Sequence, residues 1–156
     1  MKATPGEVQK YLVLISGIPQ RIEETIKDCR EEQLHHKAHA KAWSASDLLA
    51  HLRSCADLWT HSIYAMLAEK EPVFSDIDER NWAKVTKYAE LPFRASLQIF
   101  TGQRQNLVRV LEAIPLASWE RSALIFERRH TVFTQTRRLA KHEAEHIEQL
   151  RTILRV

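Results

Sequence analysis

Leu139-Ala140-Lys141-His142-Glu143-Ala144-Glu145-His146-Ile147-Glu148-Gln149-Leu150 is the stretch whose reading decides the fold. Leu139, His142, His146, Leu150 and Ile153 follow one another at steps of three or four residues, the stripe a helix turns toward a core. The pattern predicts a helix that begins near residues 131–134 and runs nearly to residue 156. Its buried stripe carries two imidazoles. Buried polar side chains are costly unless satisfied, so these two need partners from another element.

His142 and His146 also frame an H-E-x-x-H motif, whose spacing puts both rings on one helical face where they can grip a single metal ion. The spacing alone is weak. There are eight histidines in the chain, and His35 and His39 form a second such pair in a segment that reads as a loop. A zincin-type protease needs a third ligand downstream, but the metzincin position is Thr152 and no His, Asp or Glu follows Glu148. The third ligand must therefore come from upstream. His51 is the candidate, because Leu48, His51, Cys55 and Leu58 step along one face of another predicted helix. Without a metal, His51 is an ordinary half-buried histidine bonded to Asp47 one turn earlier. His61 lies on a wetter face and His130 precedes the last helix. Three histidines with a fourth position left for water is the arrangement of catalytic zinc, whereas a closed structural site takes four protein ligands. Glu143, Glu145 and Glu148 are near enough to act as a base or to support the ligands, or else are simply solvated.

Outward from this helix, three more are predicted. Thr4, Pro5 and Glu7 mark the start of the first, which carries Val8, Leu12, Ile15, Ile22 and Ile26 and kinks or breaks at Gly17 and Pro19 before ending near Cys29. Residues 31–42 read as polar and irregular. Ser44 caps the second helix, with Asp47 three residues on, and its stripe runs through Leu48, Leu52, Cys55, Trp59, Ile63 and Met66 to about Lys70. Residues 71–90 read as a long crossover with a helical turn around Trp82. Pro92 opens the third helix and Pro115 stops it, and a connection containing Trp119 follows. No segment shows convincing strand alternation. The expected fold is all-α, an antiparallel four-helix bundle with one long crossover, formed by residues 1–156 as one domain.

Composition narrows the function classes. With 156 residues, three glycines and five prolines, the chain has enough core to fold without staples. The net charge of +3 is a modest excess. The basic cluster Arg128, Arg129, Arg137, Arg138 and Lys141 reads as a solvated face, and no base-reading motif accompanies it. Nucleic acid is therefore not expected as a partner. Cys29 and Cys55 form no CxxC, which suits reduced thiols, and neither a leader nor a membrane-spanning run is evident. The expected location is cytoplasmic, with no membrane partner. The four tryptophans form no visible cage and are expected in the core or in a pocket wall.

These residues resemble the DinB-like metal-binding four-helix bundles, including the YfiT-type metal-dependent hydrolases. The segment from Ala42-Trp43-Ser44 to His51-Leu52 is similar to the family's tryptophan-serine helix start and its first histidine ligand, and Leu139 to Leu150 to its closing helix with the other two. The chain departs from the pattern at residues 34–41, where relatives often carry proline and glycine. The resemblance implies a zinc, nickel or similar divalent ion on His51, His142 and His146, an open cleft and a homodimer. It also implies a small-molecule substrate, since characterised relatives include enzymes that use low-molecular-weight thiols. Two functions stand side by side: a metal-dependent hydrolase or thiol S-transferase, and a non-catalytic metal-binding or stress-response module. An open coordination position facing a cleft separates the first from the second.

Overall fold

The computed structural model describes residues 3–75 and 78–155. Thr4 accepts the amide of Glu7 and Pro5 opens α1 (Pro5–Ile26). Gly17 and Pro19 do not break it. Ile15, Ile18, Ile22 and Ile26 are all buried, so packing on both sides of Pro19 holds the helix through the missing N–H, and it ends three residues earlier than the pattern suggested. The segment expected to be irregular opens with a short helix, α2 (Glu31–His35), pinned by the fully buried Leu34.

A reciprocal capping box of Ser44 and Asp47 starts α3 (Ala45–Ala68). The long connection that follows holds β1 (Val73–Phe74), α4 (Glu79–Thr86) and a 3-10 turn at Tyr88–Glu90, more structure than the single turn expected around Trp82. α5 (Phe93–Ala113) follows, then a 3-10 turn carrying Trp119, strands β2 (Ser122–Ile125) and β3 (Arg128–Thr131), and α6 (Val132–Leu154) behind the capping Thr131.

The strands are a correction to the all-helical expectation of the connections, though the sheet is a minor part of an α-helical fold. β1 runs parallel to β2, and β2 pairs with β3 in a hairpin. Its two turn residues, Phe126 and Glu127, have φ of 51° and 58°. A turn of this kind is ordinarily announced by Asn-Gly or Asp-Gly, and here neither glycine nor asparagine is present to signal it.

In the bundle α1 and α3 each pack on both α5 and α6 and lie diagonally from one another. The chain directions follow from individual contacts. Gln135 near the start of α6 meets Ser62 late in α3, while His142 meets His51, so α3 and α6 are antiparallel. Arg94 bonds the Ile26 carbonyl at the end of α1, which makes α1 and α5 antiparallel as well. By contrast Arg53 meets Ser96 and Thr60 meets Arg104, so α3 and α5 run the same way. Two consecutive parallel neighbours need a connection that returns the chain to its starting end, and residues 69–92 provide it.

Two apolar clusters fill the bundle. One gathers Leu12, Ile63, Leu111, Trp119 and Phe133, and the other Ile22, Leu48, Phe93, Phe100 and Ile147. Between their levels Arg104 and Glu143, each 1% exposed, form a buried ion pair, with Nε to Oε1 at 2.7 Å. His142 sits beside this layer on α6.

Candidate metal centre

The site is built by the antiparallel pair α3 and α6. Ser44 and Asp47 fix where α3 begins, which places His51 nearly two turns in, opposite the middle of α6. There His142 and His146, one turn apart, meet it. Among the described residues this is the one group of three or more histidine, cysteine or carboxylate side chains arranged to hold a metal, with ligand atoms within 4.8 Å of one another. His142 Nε2 lies 3.1 Å from His51 Nε2 and 3.0 Å from His146 Nε2.

That convergence fits a divalent ion. Nitrogens held about 2.0 Å from a tetrahedral ion stand about 3.3 Å apart, close to the spacing seen here. Three inward Nε2 atoms cannot each find a proton among themselves, whereas one cation at their focus satisfies all three lone pairs. The opposite ring nitrogens bear this out unevenly. His146 Nδ1 donates to Gln149 Oε1 at 2.8 Å, the outer contact that fixes a ligand's tautomer, whereas the buried Nδ1 of His142 has no protein partner. Burial, then the neighbouring His146 and His51 rings, and Arg138 and Arg104 beyond them, push His142 down to about 3. Burial and His146 also lower His51, aided by Arg80 and opposed by Glu79. Both rings are therefore neutral near pH 7, the form that binds metal.

Aromatic rings wall the cluster. Trp43 stacks on His146 at an interplanar angle of 14° and leans on His51, its centroid 5.3 Å away. Trp59 lies 4.9 Å from the His142 ring, and the Arg138 guanidinium covers its outer face at 4.2 Å. Cys55 Sγ approaches His51 Nε2 at 3.7 Å, but burial first, then Glu79 and Glu143, push the thiol up to about 12, so it stands as a neutral neighbour.

Other histidines lie elsewhere. His61 is exposed and meets the edge of Phe74, and His35 bonds Glu31. Asp47 is taken up by Ser44 and Lys37 and does not bond His51. Glu143 is committed to Arg104 in the core, which removes it as a base, and Glu148 pairs with Arg21 and Arg151. Glu145 instead lines a recess of about 320 Å³ with Glu79, Trp59 and His142. His51 and Trp43 form part of a larger cavity of about 730 Å³ lined by α4. Sequence reasoning missed Gln149 and the α4 residues. Gln149 was findable at three residues after His146, while α4 comes to the site only through the crossover.

The DinB superfamily model matches residues 15–150. A protein of Geobacillus kaustophilus named "Putative metal-dependent hydrolase GK0616" is 24% identical over 75% of this chain and 66% of its own length. A similarly named protein of Halalkalibacterium halodurans is 23% identical over 74% of this chain and 67% of its own length. The chain thus matches about two thirds of the length of these relatives. Among solved structures, YfiT from Bacillus subtilis superposes with a TM-score of 0.85 at 15% identity, over 99% of this chain and 89% of that one, and is described as "a probable metal-dependent hydrolase with an unusual four-helix bundle topology".

Proposed function

Because the chain belongs to the DinB superfamily, we propose that it is a metal-dependent enzyme acting on a small molecule, with His51, His142 and His146 as the ligands of one divalent ion. The observation that carries this reading is the convergence of three Nε2 atoms beside a cavity large enough for a small molecule. The names of the relatives from Geobacillus and Halalkalibacterium point the same way. Zinc and nickel are among the ions that imidazole ligands suit. When bound, such an ion supplies Lewis acidity, which polarises a substrate oxygen or sulfur or acidifies a water.

The protein's own groups do the rest. Gln149 orients His146, and Trp43 and Trp59 shield the cluster from bulk water on either side. Glu79 and Glu145, which share the recess beside His142, are the carboxylates placed to accept or return a proton. Hydrolysis is the first reaction to screen, and transfer to a low-molecular-weight thiol the second.

Elemental analysis tests the reading. The untagged protein should carry about one metal ion per chain after incubation with zinc, nickel or manganese. The variant with alanine at positions 51, 142 and 146 should carry none and keep its helical circular dichroism. A wild-type protein that takes up no metal would overturn it.

A further inference from the structure

The cavity lined by α4 has a charge pattern that metal binding alone does not use. Of its five basic residues, Lys37 is paired with Asp47 at 2.8 Å, and Lys87 lies 3.9 Å from Glu90. The remaining three, Lys41, Arg80 and Lys84, line the same cavity, and among the described residues no carboxylate stands within ion-pair distance of them. Arg80 and Lys84 fall at i and i+4, one stripe of α4 that lines the cavity, with Lys87 just past the helix end, while Trp82 on another face is anchored by Asp57. Like charges at i, i+4 disfavour a short helix, so this stripe works against the element that bears it. Between the cations the walls are small or flat: Ala42, Trp43, Ala50 and Ala83. His51 closes one end.

We infer that the substrate is a compact organic anion, its carboxylate or phosphate held by Arg80, Lys84 and Lys41 and its reacting end at the three-histidine cluster. The inference rests on the metal-enzyme reading for the reacting end, while the anion site stands on the cavity alone. A volume of about 730 Å³ is that of a small-molecule pocket. Arginine and lysine set together give a forked and a point donor, suited to an oxyanion. The recess beside His142 balances Arg138 and Lys141 against Glu79 and Glu145, and holds no such surplus.

Calorimetric titration of the zinc-loaded protein with succinate, with inorganic phosphate and with neutral succinamide tests this, with metal content measured on every sample. Saturable binding of succinate or phosphate is expected, weakened by added salt, with no binding of succinamide. The tighter of the two anions identifies carboxylate or phosphate as the recognised group. In the Arg80→Ala/Lys84→Ala variant, affinity should fall about tenfold or more with metal content unchanged, as expected for lost charge-assisted hydrogen bonds. Equal affinity in that variant, equal binding of succinamide, or no binding of either anion would overturn the inference. Anion binding that depends on the histidines and not on Arg80 and Lys84 would also overturn it, since the anion would then sit on the ion. A wild-type protein that binds succinate but takes up no metal would sink the metal-enzyme reading and leave the anion site standing.

Discussion

At the scale of single residues the site depends on atoms that hold the histidines as much as on the histidines themselves. Gln149 is exposed at the surface of α6, yet its carbonyl oxygen accepts from His146 Nδ1 and thereby presents Nε2 as a lone pair. Gln149→Ala frees the ring to turn. Metal affinity should fall by about 10- to 100-fold, the usual effect of losing such an outer contact, as read by competition with a chromogenic chelator. His142→Ala should act more severely and abolish stoichiometric metal, with the fold kept. The cavity it leaves is bordered by Trp59 and by the other two rings, and the apolar clusters above and below do not depend on it.

At the scale of elements, the start of α3 sets the register of His51. Ser44 accepts the Asp47 amide, and the Asp47 carboxylate accepts from the Ser44 amide, the Ser44 hydroxyl and Lys37. Burial raises the Asp47 carboxyl, but the hydrogen bonds from Lys37 and Ser44 outweigh it and hold the group below the ordinary range. A carboxyl lowered on folding stabilises the fold above its unfolded pKa of about 3.9, and that contribution is lost as pH falls through the lower folded value. Asp47→Asn should therefore lower the melting temperature at pH 7, and the difference from wild type should shrink in acid below about pH 4. Ser44→Ala should cost about 1 kcal/mol. The β2–β3 turn offers the opposite sign. Glu127 is exposed in the left-handed region, where a side chain costs about 1 kcal/mol or more relative to glycine, so Glu127→Gly should raise the midpoint of urea denaturation.

At the scale of the whole molecule, the Arg104–Glu143 pair ties α5 to α6 in the layer between the two apolar clusters. Arg104 also reaches Thr60 on α3, so one guanidinium joins three of the four long helices. Removing one partner leaves a buried charge without its counterion. Arg104→Met alone should destabilise the fold by about 3–5 kcal/mol, seen as a fall in thermal midpoint. The double change Arg104→Met/Glu143→Leu should recover most of the loss, because a buried pair exchanged for apolar groups is often near neutral. A double variant no more stable than the single one would show that the layer is held by packing around the pair and not by the charges.

The sequence by itself determined the four long helices and the three histidines. Each long helix has a periodic apolar stripe, and local rules of capping and proline placement set the start of α1, α3 and α6 to within a residue or two. The steps from Leu139 to Ile153 and from Leu48 to Leu58 already turn His142, His146 and His51 toward a common interior, because helical period alone decides which side chains share a face. Only the tertiary structure decided the rest. The sheet has strands of two to four residues and a turn without glycine, too short for alternation to register. The parallel run of α3 beside α5 is a choice among helix directions to which amphipathic stripes are indifferent. Glu143 shares its motif with both histidines, but its helical angle turns it to Arg104, which only the packing of α5 could supply. The basic face of α4 lies about thirty residues from His51 along the chain, and it joins the site only because the crossover folds back over the start of α3.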